Sequence, residues 1–260
     1  MDVTLRPMAD SEFPARRAEL VRDTALSLAA YHGLSVPEAE AQAQRATAAS
    51  LPDGPATRGH LLRTAVADGR VVGWIWLSLP GTFHPEVAWV SDVAVDEAYR
   101  SRGAGRAVML AGEAELAARG IGRAGLNVDG GNDRARRLYD RLGYAVTRQQ
   151  WSRALTTVPA AHDVPATLGP DGTARIGDRP VGRAVWTDRH RGRPGRGWLT
   201  EWEYGDPVYG AAILAAVEAE LVHRGAQSLG TEVAGDDHDR RLLVQRLGFR
   251  LLAQQMEKPL

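Results

Sequence analysis

The most informative part of the sequence is V-S-D-V-A-V-D-E-A-Y-R-S-R-G-A-G-R, at residues 90–106. Its first six residues have a strand-like composition, and the R-x-R-G-x-G-R segment predicts a turn that leads directly into a helix. The backbone N–H groups of such a turn and of the first helical turn form a concave site for an anion such as phosphate. Glycines let the backbone approach a ligand closely, and the three arginines add positive charge.

Composition limits the classes of protein that the chain can represent. It has 260 residues, 44% hydrophobic and 25% charged, which is typical of a soluble globular protein with one large domain or two small ones. The formal net charge is zero, so we expect neither a nucleic-acid partner nor a membrane partner. The absence of cysteine excludes disulfides, a thiol nucleophile and thiolate metal sites. With no signal-like N-terminus and no long apolar run, the expected location is the cytoplasm.

Hydrophobic periodicity predicts a complete α/β unit over residues 1–155. The predicted order is strand, two helices, three antiparallel strands, helix, strand, helix, strand. A capping-box spacing places the start of the second helix near Ser35. Asp68-Gly69 predicts a two-residue hairpin between strands at 61–67 and 70–79.

A shift of 105 positions reveals a second copy of this pattern. Residues 112–153 align without a gap to residues 217–258, with about sixteen identities in forty-two positions. The copy predicts a complete domain at 1–155, a polar linker at 156–170 and a partial domain at 171–260. Because the copy begins with a hairpin at 175–186, it is expected to lack the first strand and both early helices.

The turn of the second copy is altered. In the same register, residues 100–105 correspond to Gly205-Asp-Pro-Val-Tyr-Gly210, where both arginines and the first glycine are lost. Pro207 removes a backbone donor, and Asp206 adds negative charge. We therefore expect poor phosphate binding and a structural role for the copy.

The motif Arg100-Ser-Arg-Gly103-Ala-Gly105, with the V-x-V strand before it and the segment 132–144 after it, resembles the GNAT superfamily of N-acetyltransferases. The resemblance covers residues 1–155 and extends to the partial copy. It implies an α/β (α+β) fold with a mixed, mostly antiparallel sheet and flanking helices. It also implies transfer of an acetyl group from acetyl-CoA to a small-molecule amine or a peptide amine.

The resemblance assigns residues to the binding of acetyl-CoA. The pyrophosphate is expected on the turn, and the pantetheine arm along a strand edge that is freed where the fourth and fifth strands splay apart at a bulge. The expected contacts are Val93, Ala94, Val95, Arg100, Arg102, Gly103, Ala104, Gly105, Arg106 and Asn132.

Catalytic candidates follow from the same resemblance. Tyr139 lies at the position of the family's general acid, although its spacing alone also suits a core aromatic residue. For the general base, Asp92 is the first candidate, Glu86 the second and His84 the third. A strand-edge carboxylate paired with an arginine is the alternative for Asp92. His60 is expected to have a structural role.

Further side chains have competing interpretations. Trp74, Trp76 and Trp89 flank the expected cleft, with core packing favoured over lining an acceptor pocket. The acidic cluster around His238 is interpreted as helix capping, so no metal site is predicted. A non-catalytic acyl-CoA-binding or regulatory module is the alternative function. The expected oligomeric state is a monomer or a homodimer.

Overall fold

The computed structural model describes residues 1–32, 34–155, 164–190 and 195–260. It contains two compact units. Unit 1 consists of Met1–Ala145 together with Gln255–Leu260, and unit 2 consists of Val146–Gln254. Of the predicted linker at 156–170, residues 156–163 lie outside the described part. None of the described helices combines the length and apolar composition that crossing a bilayer requires.

Unit 1 contains the predicted order of elements except for the last predicted strand, which lies in unit 2. They are β1 (Thr4–Pro7), α1 (Phe13–His32), α2 (Val36–Ser50), β2 (His60–Ala67), β3 (Arg70–Ser78), β4 (Ala88–Val95), α3 (Ala104–Ala118), β5 (Arg123–Asp129) and α4 (Asp133–Arg141). The sheet order is β1-β2-β3-β4-β5, followed by the C-terminal segment Gln255–Leu260. The hairpin prediction is confirmed, because Asp68 and Gly69 both have positive φ angles, 51° and 71°.

Alternation along β3 sends its side chains to two different layers. Ile75 faces α3, where a Cβ added to Gly112 would lie 2.9 Å from Ile75 Cδ1, so the glycine permits close helix–sheet packing. Trp74 and Trp76 face the opposite layer, which is formed by a buried apolar cluster. The other buried members of that cluster are Met8, Leu20, Leu51 and Leu62. β3 is therefore buried on both faces.

The strands β4 and β5 pair over only part of their length. Ala88 to Val90 pair in parallel with Ala124 to Leu126, and beyond that point no pairing joins the two strands. The other edge of β4 stays paired with β3 as far as Val95. The predicted splay of the fourth and fifth strands is therefore present, and the β4 edge at Val93–Val95 is open on its β5 side.

A β-bulge lies at the start of the splay. Trp76 pairs with Asp92 and Leu77 pairs with Val90, so Ser91 is the extra residue of β4. An extra residue interrupts strict alternation and bends the strand. The bulge is positioned where β4 leaves β5.

Unit 2 contains the remaining elements. They are β6 (Ala145–Ala154), β7 (Thr167–Leu168), β8 (Thr173–Ile176), β9 (Arg179–Thr187), β10 (Arg196–Tyr204), α5 (Pro207–His223), β11 (Ser228–Ala234), α6 (His238–Arg246) and β12 (Arg250–Pro259), of which only the last residues belong to unit 1. The strand order is β7-β8-β9-β10-β11-β6, with β10 and β11 parallel. This order matches unit 1 and confirms a second copy of the fold.

One expectation about the copy is wrong. The two-residue strand β7 pairs antiparallel with β8, as β1 pairs with β2, so a short counterpart of the first strand is present. Its two residues are too few to show a period in the sequence. The two early helices have no counterpart between β7 and β8, because β8 begins at Thr173, shortly after β7 ends at Leu168. The acidic cluster caps α6 as predicted, since Asp237 Oδ1 accepts a hydrogen bond from Arg240 N at 2.9 Å.

The two repeats have exchanged their last strands. In unit 1, Lys258 Nζ lies 2.6 Å from Glu113 Oε2. In unit 2, Arg153 forms the equivalent ion pair with Glu218. A shift of 105 residues relates Glu113 to Glu218 and Arg153 to Lys258, so each acidic residue pairs with the last strand of the other repeat. This exchange is why the packing units differ from the predicted division at residue 155.

Candidate active site

The predicted phosphate-binding turn lies between β4 and α3. Ser101 and Gly103 both have positive φ angles, 63° and 84°, and Gly103 is the N-cap of α3. The first intrahelical hydrogen bond shown is from Ala107 N to Gly103 O, at 3.1 Å. The amides of residues 104–106 precede it and have no acceptor within the helix. The helix dipole favours an anion at this end.

Arginines surround the turn on its exposed side. Arg102 and Arg106 are exposed, and Arg134 Nη2 donates to Ser101 Oγ at 3.3 Å. The side chain of Arg100 has a different contact, because its Nε donates to Val95 O at 2.9 Å. Arg100 therefore holds the turn against the end of β4.

Gly105 leaves space beside the backbone of the turn, although the protein's own packing does not require glycine there. A Cβ at this position would lie 3.5 Å from Leu138 Cδ2 and 3.8 Å from Val95 Cγ2, both ordinary contacts. The backbone of Gly105 is not in the left-handed region. Neither packing nor conformation therefore demands glycine here, whereas a ligand resting on the backbone would. The turn has the shape and the donors for a pyrophosphate.

Tyr139 is the one buried residue of α4, with 7% of its surface exposed. Its ring lies edge-on to Tyr144, with 5.9 Å between the centroids. Burial, together with the charge of Asp92, raises the pKa of Tyr139 to about 12. The phenol therefore keeps its proton at neutral pH and can act as a donor. Asn132, the residue before α4, caps the helix, since its Oδ1 accepts a hydrogen bond from Ala135 N at 3.1 Å.

Asp92 is half-buried and is paired opposite Trp76 in the sheet. Burial raises its pKa to about 7, and the charges of Asp23 and Glu19 on α1 add to this effect. A hydrogen bond from the Val93 amide acts in the opposite direction. The carboxyl group therefore changes its protonation state near neutral pH, as a general base requires. The arginine partner considered from the sequence is not among the causes of this shift.

The bulge places two consecutive side chains of β4 on the same face of the sheet. Ser91 Oγ lies 2.7 Å from Ser78 Oγ, on the face of β3 that carries Trp76. Asp92 responds to charges on α1, which packs on that same face. In a regular strand, consecutive side chains point to opposite faces. The sequence alone did not single out Ser91, because a bulge of this kind leaves no pattern in the residues.

The other two candidates for the base lie in the segment before β4. Glu86 is exposed. His84 Nδ1 accepts hydrogen bonds from the backbone amides of Glu86 and Val87, each at 3.2 Å. The lone pair of Nδ1 is therefore occupied, and a proton taken up there would break both bonds. This contact disfavours His84 as the base.

A cavity of about 500 Å³ opens beside the bulge, where β4 and β5 separate. Its walls are largely aromatic. The lining residues are Trp76, Phe83, His84, Trp89, Val90, Ser91, Asn127 and Gln255. Of the tryptophans considered from the sequence, Trp76 and Trp89 reach this cavity, whereas Trp74 is 1% exposed and lies in the core. Gln255 was missed, because the strand exchange that brings it into unit 1 is not visible in the sequence.

The corresponding region of unit 2 is built differently. Only Gly205 and Asp206 separate β10 from α5, and Asp206 Oδ1 accepts a hydrogen bond from Val208 N at 2.8 Å. Trp202 is 2% exposed and donates its Nε1–H to Gly210 O at 3.2 Å. A carboxylate thus caps the helix where unit 1 has free amides. Val244, fully buried, takes the position of the tyrosine in the repeat.

Known proteins are similar to this chain in sequence and in fold. Residues 27–144 match the model of the acetyltransferase (GNAT) family. The uncharacterized N-acetyltransferase YdgE of Bacillus subtilis is 26% identical over 156 residues, covering 60% of this chain and 99% of that protein. The mycothiol acetyltransferase of Rhodococcus jostii is 30% identical over 162 residues, covering 54% of this chain. That match spans 50% of the length of the relative.

The fold is shared over nearly the whole chain. A crystal structure of a GCN5-related N-acetyltransferase from Sphaerobacter thermophilus covers 99% of this chain and 95% of its own, at 17% identity and a TM-score of 0.52. The family match and the relatives indicate an acetyltransferase, and the solved structure shows the shared fold. Over residues 27–144, the chain is similar to the GNAT family of N-acetyltransferases. The GNAT-type mixed sheet predicted from the sequence is confirmed.

Proposed function

We propose that unit 1 transfers the acetyl group of acetyl-CoA to a primary amine by direct attack, without a covalent enzyme intermediate. The observation that carries this proposal is the splay of β4 from β5 beyond Val90, beside a turn whose amides are open to an anion. The residues proposed to bind acetyl-CoA are Val93, Ala94, Val95, Arg100, Arg102, Gly103, Ala104, Gly105, Arg106 and Asn132. Acetyl-CoA supplies an acetyl group that is activated as a thioester.

Asp92 and Tyr139 have complementary protonation states for this reaction. With a pKa of about 7, Asp92 can accept a proton from an ammonium group near neutral pH, which leaves a nucleophilic amine. With a pKa of about 12, Tyr139 retains a proton that it can give to the leaving thiolate. Two titratable groups with opposite tasks therefore share one electrostatic environment. Glu86, exposed in the segment before β4, is the weaker candidate for the base.

Unit 2 is proposed to hold no acetyl-CoA. Its turn is reduced to two residues, its helix N-terminus is capped by Asp206, and Val244 has no proton to give. Its contribution is structural. The chain that continues from it returns the last six residues to unit 1.

The direct test is the release of the free thiol from acetyl-CoA across a panel of primary amines, with the acetylated product identified by mass. We expect turnover by the wild type and a loss of about 10²–10³-fold in kcat for Tyr139→Phe. Tyr144→Phe is the matched control, because Tyr144 is also buried and its ring contacts Tyr139. Equal rates for wild type and Tyr139→Phe would refute the acid assignment. An acetylated protein caught by mass during turnover would refute direct attack.

A further inference from the structure

A chain of four polar side chains leads from the core of unit 1 to the cavity. Trp76 Nε1 donates a hydrogen bond to His60 Nδ1 at 2.9 Å. Ser78 Oγ lies 2.9 Å from the same His60 Nδ1. Ser91 Oγ lies 2.7 Å from Ser78 Oγ, and Ser91 lines the cavity. The chain therefore connects a buried imidazole to the wall of the proposed acceptor site.

The tryptophan and the contact between Ser78 and His60 together set the directions of these hydrogen bonds. An indole nitrogen can only donate, so His60 Nδ1 must be an unprotonated acceptor, and the ring hydrogen is on Nε2. In the hydrogen bond between Ser78 and His60 Nδ1, the Ser78 hydroxyl is therefore the donor. The hydroxyl and the indole N–H of Trp76 share the lone pair of Nδ1. Because Ser78 has a single hydrogen, Ser91 must donate its own hydrogen to Ser78 Oγ.

Burial keeps this arrangement in place. Ser78 is 1% exposed, Trp76 6% and His60 9%. The ring of Phe83 also packs against His60, with 5.8 Å between centroids. Burial lowers the pKa of His60, so the imidazole is neutral at neutral pH. A neutral imidazole that is shielded from water cannot easily exchange its tautomer, since each buried donor would lose its acceptor.

We infer that Ser91 Oγ, with its hydrogen committed to Ser78, presents only lone pairs to the cavity and selects an acceptor substrate that carries an N–H donor there. This inference rests on the proposed function, because it assigns the cavity to the acceptor amine. Ser91 and Asp92 lie side by side on one face of the sheet through the bulge. Ser91 positions the amine by one N–H, and Asp92 removes the proton from the same nitrogen.

The walls define the class of amine. Trp76, Phe83 and Trp89 provide flat apolar surface, which suits an aromatic or other bulky apolar substituent. The cavity volume of about 500 Å³ admits a small molecule. The ligand class is therefore a primary ammonium ion attached to an apolar, preferably aromatic, group.

A pair of probes with the same charge and the same ring tests the hydrogen bond, with the Ser91 variants as the control for the larger head group. Phenethylamine and its N,N,N-trimethyl derivative are both cations with the same ring, but only the first has N–H donors. By calorimetric titration of the full chain with coenzyme A present, we expect phenethylamine to bind about tenfold more tightly than the trimethyl probe. Ser91→Ala is expected to reduce this preference severalfold, because only Asp92 then accepts an N–H, and Ser91→Thr, which keeps the hydroxyl, to retain it.

The direction of the hydrogen bonds from Trp76 to Ser91 is tested separately by ¹⁵N NMR of His60. We expect a bare Nδ1 and a protonated Nε2 in the wild type, and a loss of this single tautomer in Trp76→Phe. A protonated Nδ1 in the wild type would overturn the inference, because the chain would then point its last hydrogen into the cavity. Equal binding of the two probes, no binding of phenethylamine, or an unchanged preference in Ser91→Ala would also overturn it. If binding is selective but no amine of the panel is acetylated, the proposed function fails while the selection of an N–H donor by Ser91 stands.

Discussion

Replacement of Asp92 by asparagine is expected to stabilise the protein while it removes activity. The pKa of this carboxyl group is raised from 3.8 to about 7 by burial and by acidic residues on α1. Because the folded pKa lies above the unfolded one, the unfolded state loses its proton first as the pH rises. The resulting loss of stability begins near pH 4 and is complete above pH 7. The ionised side chain therefore opposes folding at the working pH of the proposed base.

The magnitude follows from the shift. At 1.36 kcal/mol per pH unit, the change from 3.8 to about 7 corresponds to ~4 kcal/mol. Part of the side chain remains in contact with solvent, which screens its charge, so we expect ~2 kcal/mol. Urea unfolding at pH 8 should show Asp92→Asn to be more stable than the wild type by this amount. The difference should shrink at pH 5, where the wild-type carboxyl group is largely protonated in the folded state.

Activity should change in the opposite direction. The wild-type kcat/KM is expected to fall about tenfold per pH unit below pH 7, as Asp92 becomes protonated. Asp92→Asn should lose about 10²–10⁴-fold and with it this acidic limb. Glu86→Gln is the control, because it removes the competing candidate from an exposed position. If Asp92→Asn is as active as the wild type, Asp92 is not the general base. If it is less stable than the wild type at pH 8, the raised pKa of Asp92 is wrong.

Two further predictions concern the exchanged strand and the turn. Lys258→Met leaves Glu113 buried without its cation and should destabilise unit 1 by about 3 kcal/mol in urea unfolding. The matched variant Arg153→Met should destabilise unit 2 instead. An unchanged unfolding midpoint for Lys258→Met would contradict the ion pair between Lys258 and Glu113. Gly105→Ala should raise KM for acetyl-CoA about tenfold with little change in stability, because its Cβ meets only ordinary contacts within the protein. Gly103→Ala, at a φ angle of 84°, should lower stability by about 1–2 kcal/mol; equal thermal midpoints for the two alanine variants would contradict this distinction.

Local features of the fold could be predicted from the sequence. The hairpin at Asp68 and Gly69, the turn before α3 and the capping of α6 by Asp237 each follow from the preferences of a few adjacent residues. The second copy was visible because a fixed shift preserves both the periodicity and the turn residues. These features do not depend on distant parts of the chain.

The resemblance implied a splay at a bulge, but the exact positions of features that depend on pairing between distant segments could not be predicted. The bulge at Ser91 is a matter of register between β3 and β4, and one extra residue leaves the composition of β4 unchanged. The strand exchange is hidden for a related reason. Because Lys258 and Arg153 are equivalent in the repeat, either could pair with Glu113, and the sequence does not distinguish the two arrangements. Ser91 and Gln255 were missed as lining residues of the cavity for these two reasons.

Of the two related units, only unit 1 is expected to hold acetyl-CoA. The most direct test is calorimetric titration of the full chain with coenzyme A, which reports both stoichiometry and affinity. We predict one site per chain, weakened by Gly105→Ala in the turn of unit 1 and unaffected by Asp206→Ala in the turn of unit 2. Two sites per chain, or a single site weakened only by Asp206→Ala, would mean that unit 2 binds coenzyme A and would contradict binding by unit 1 alone.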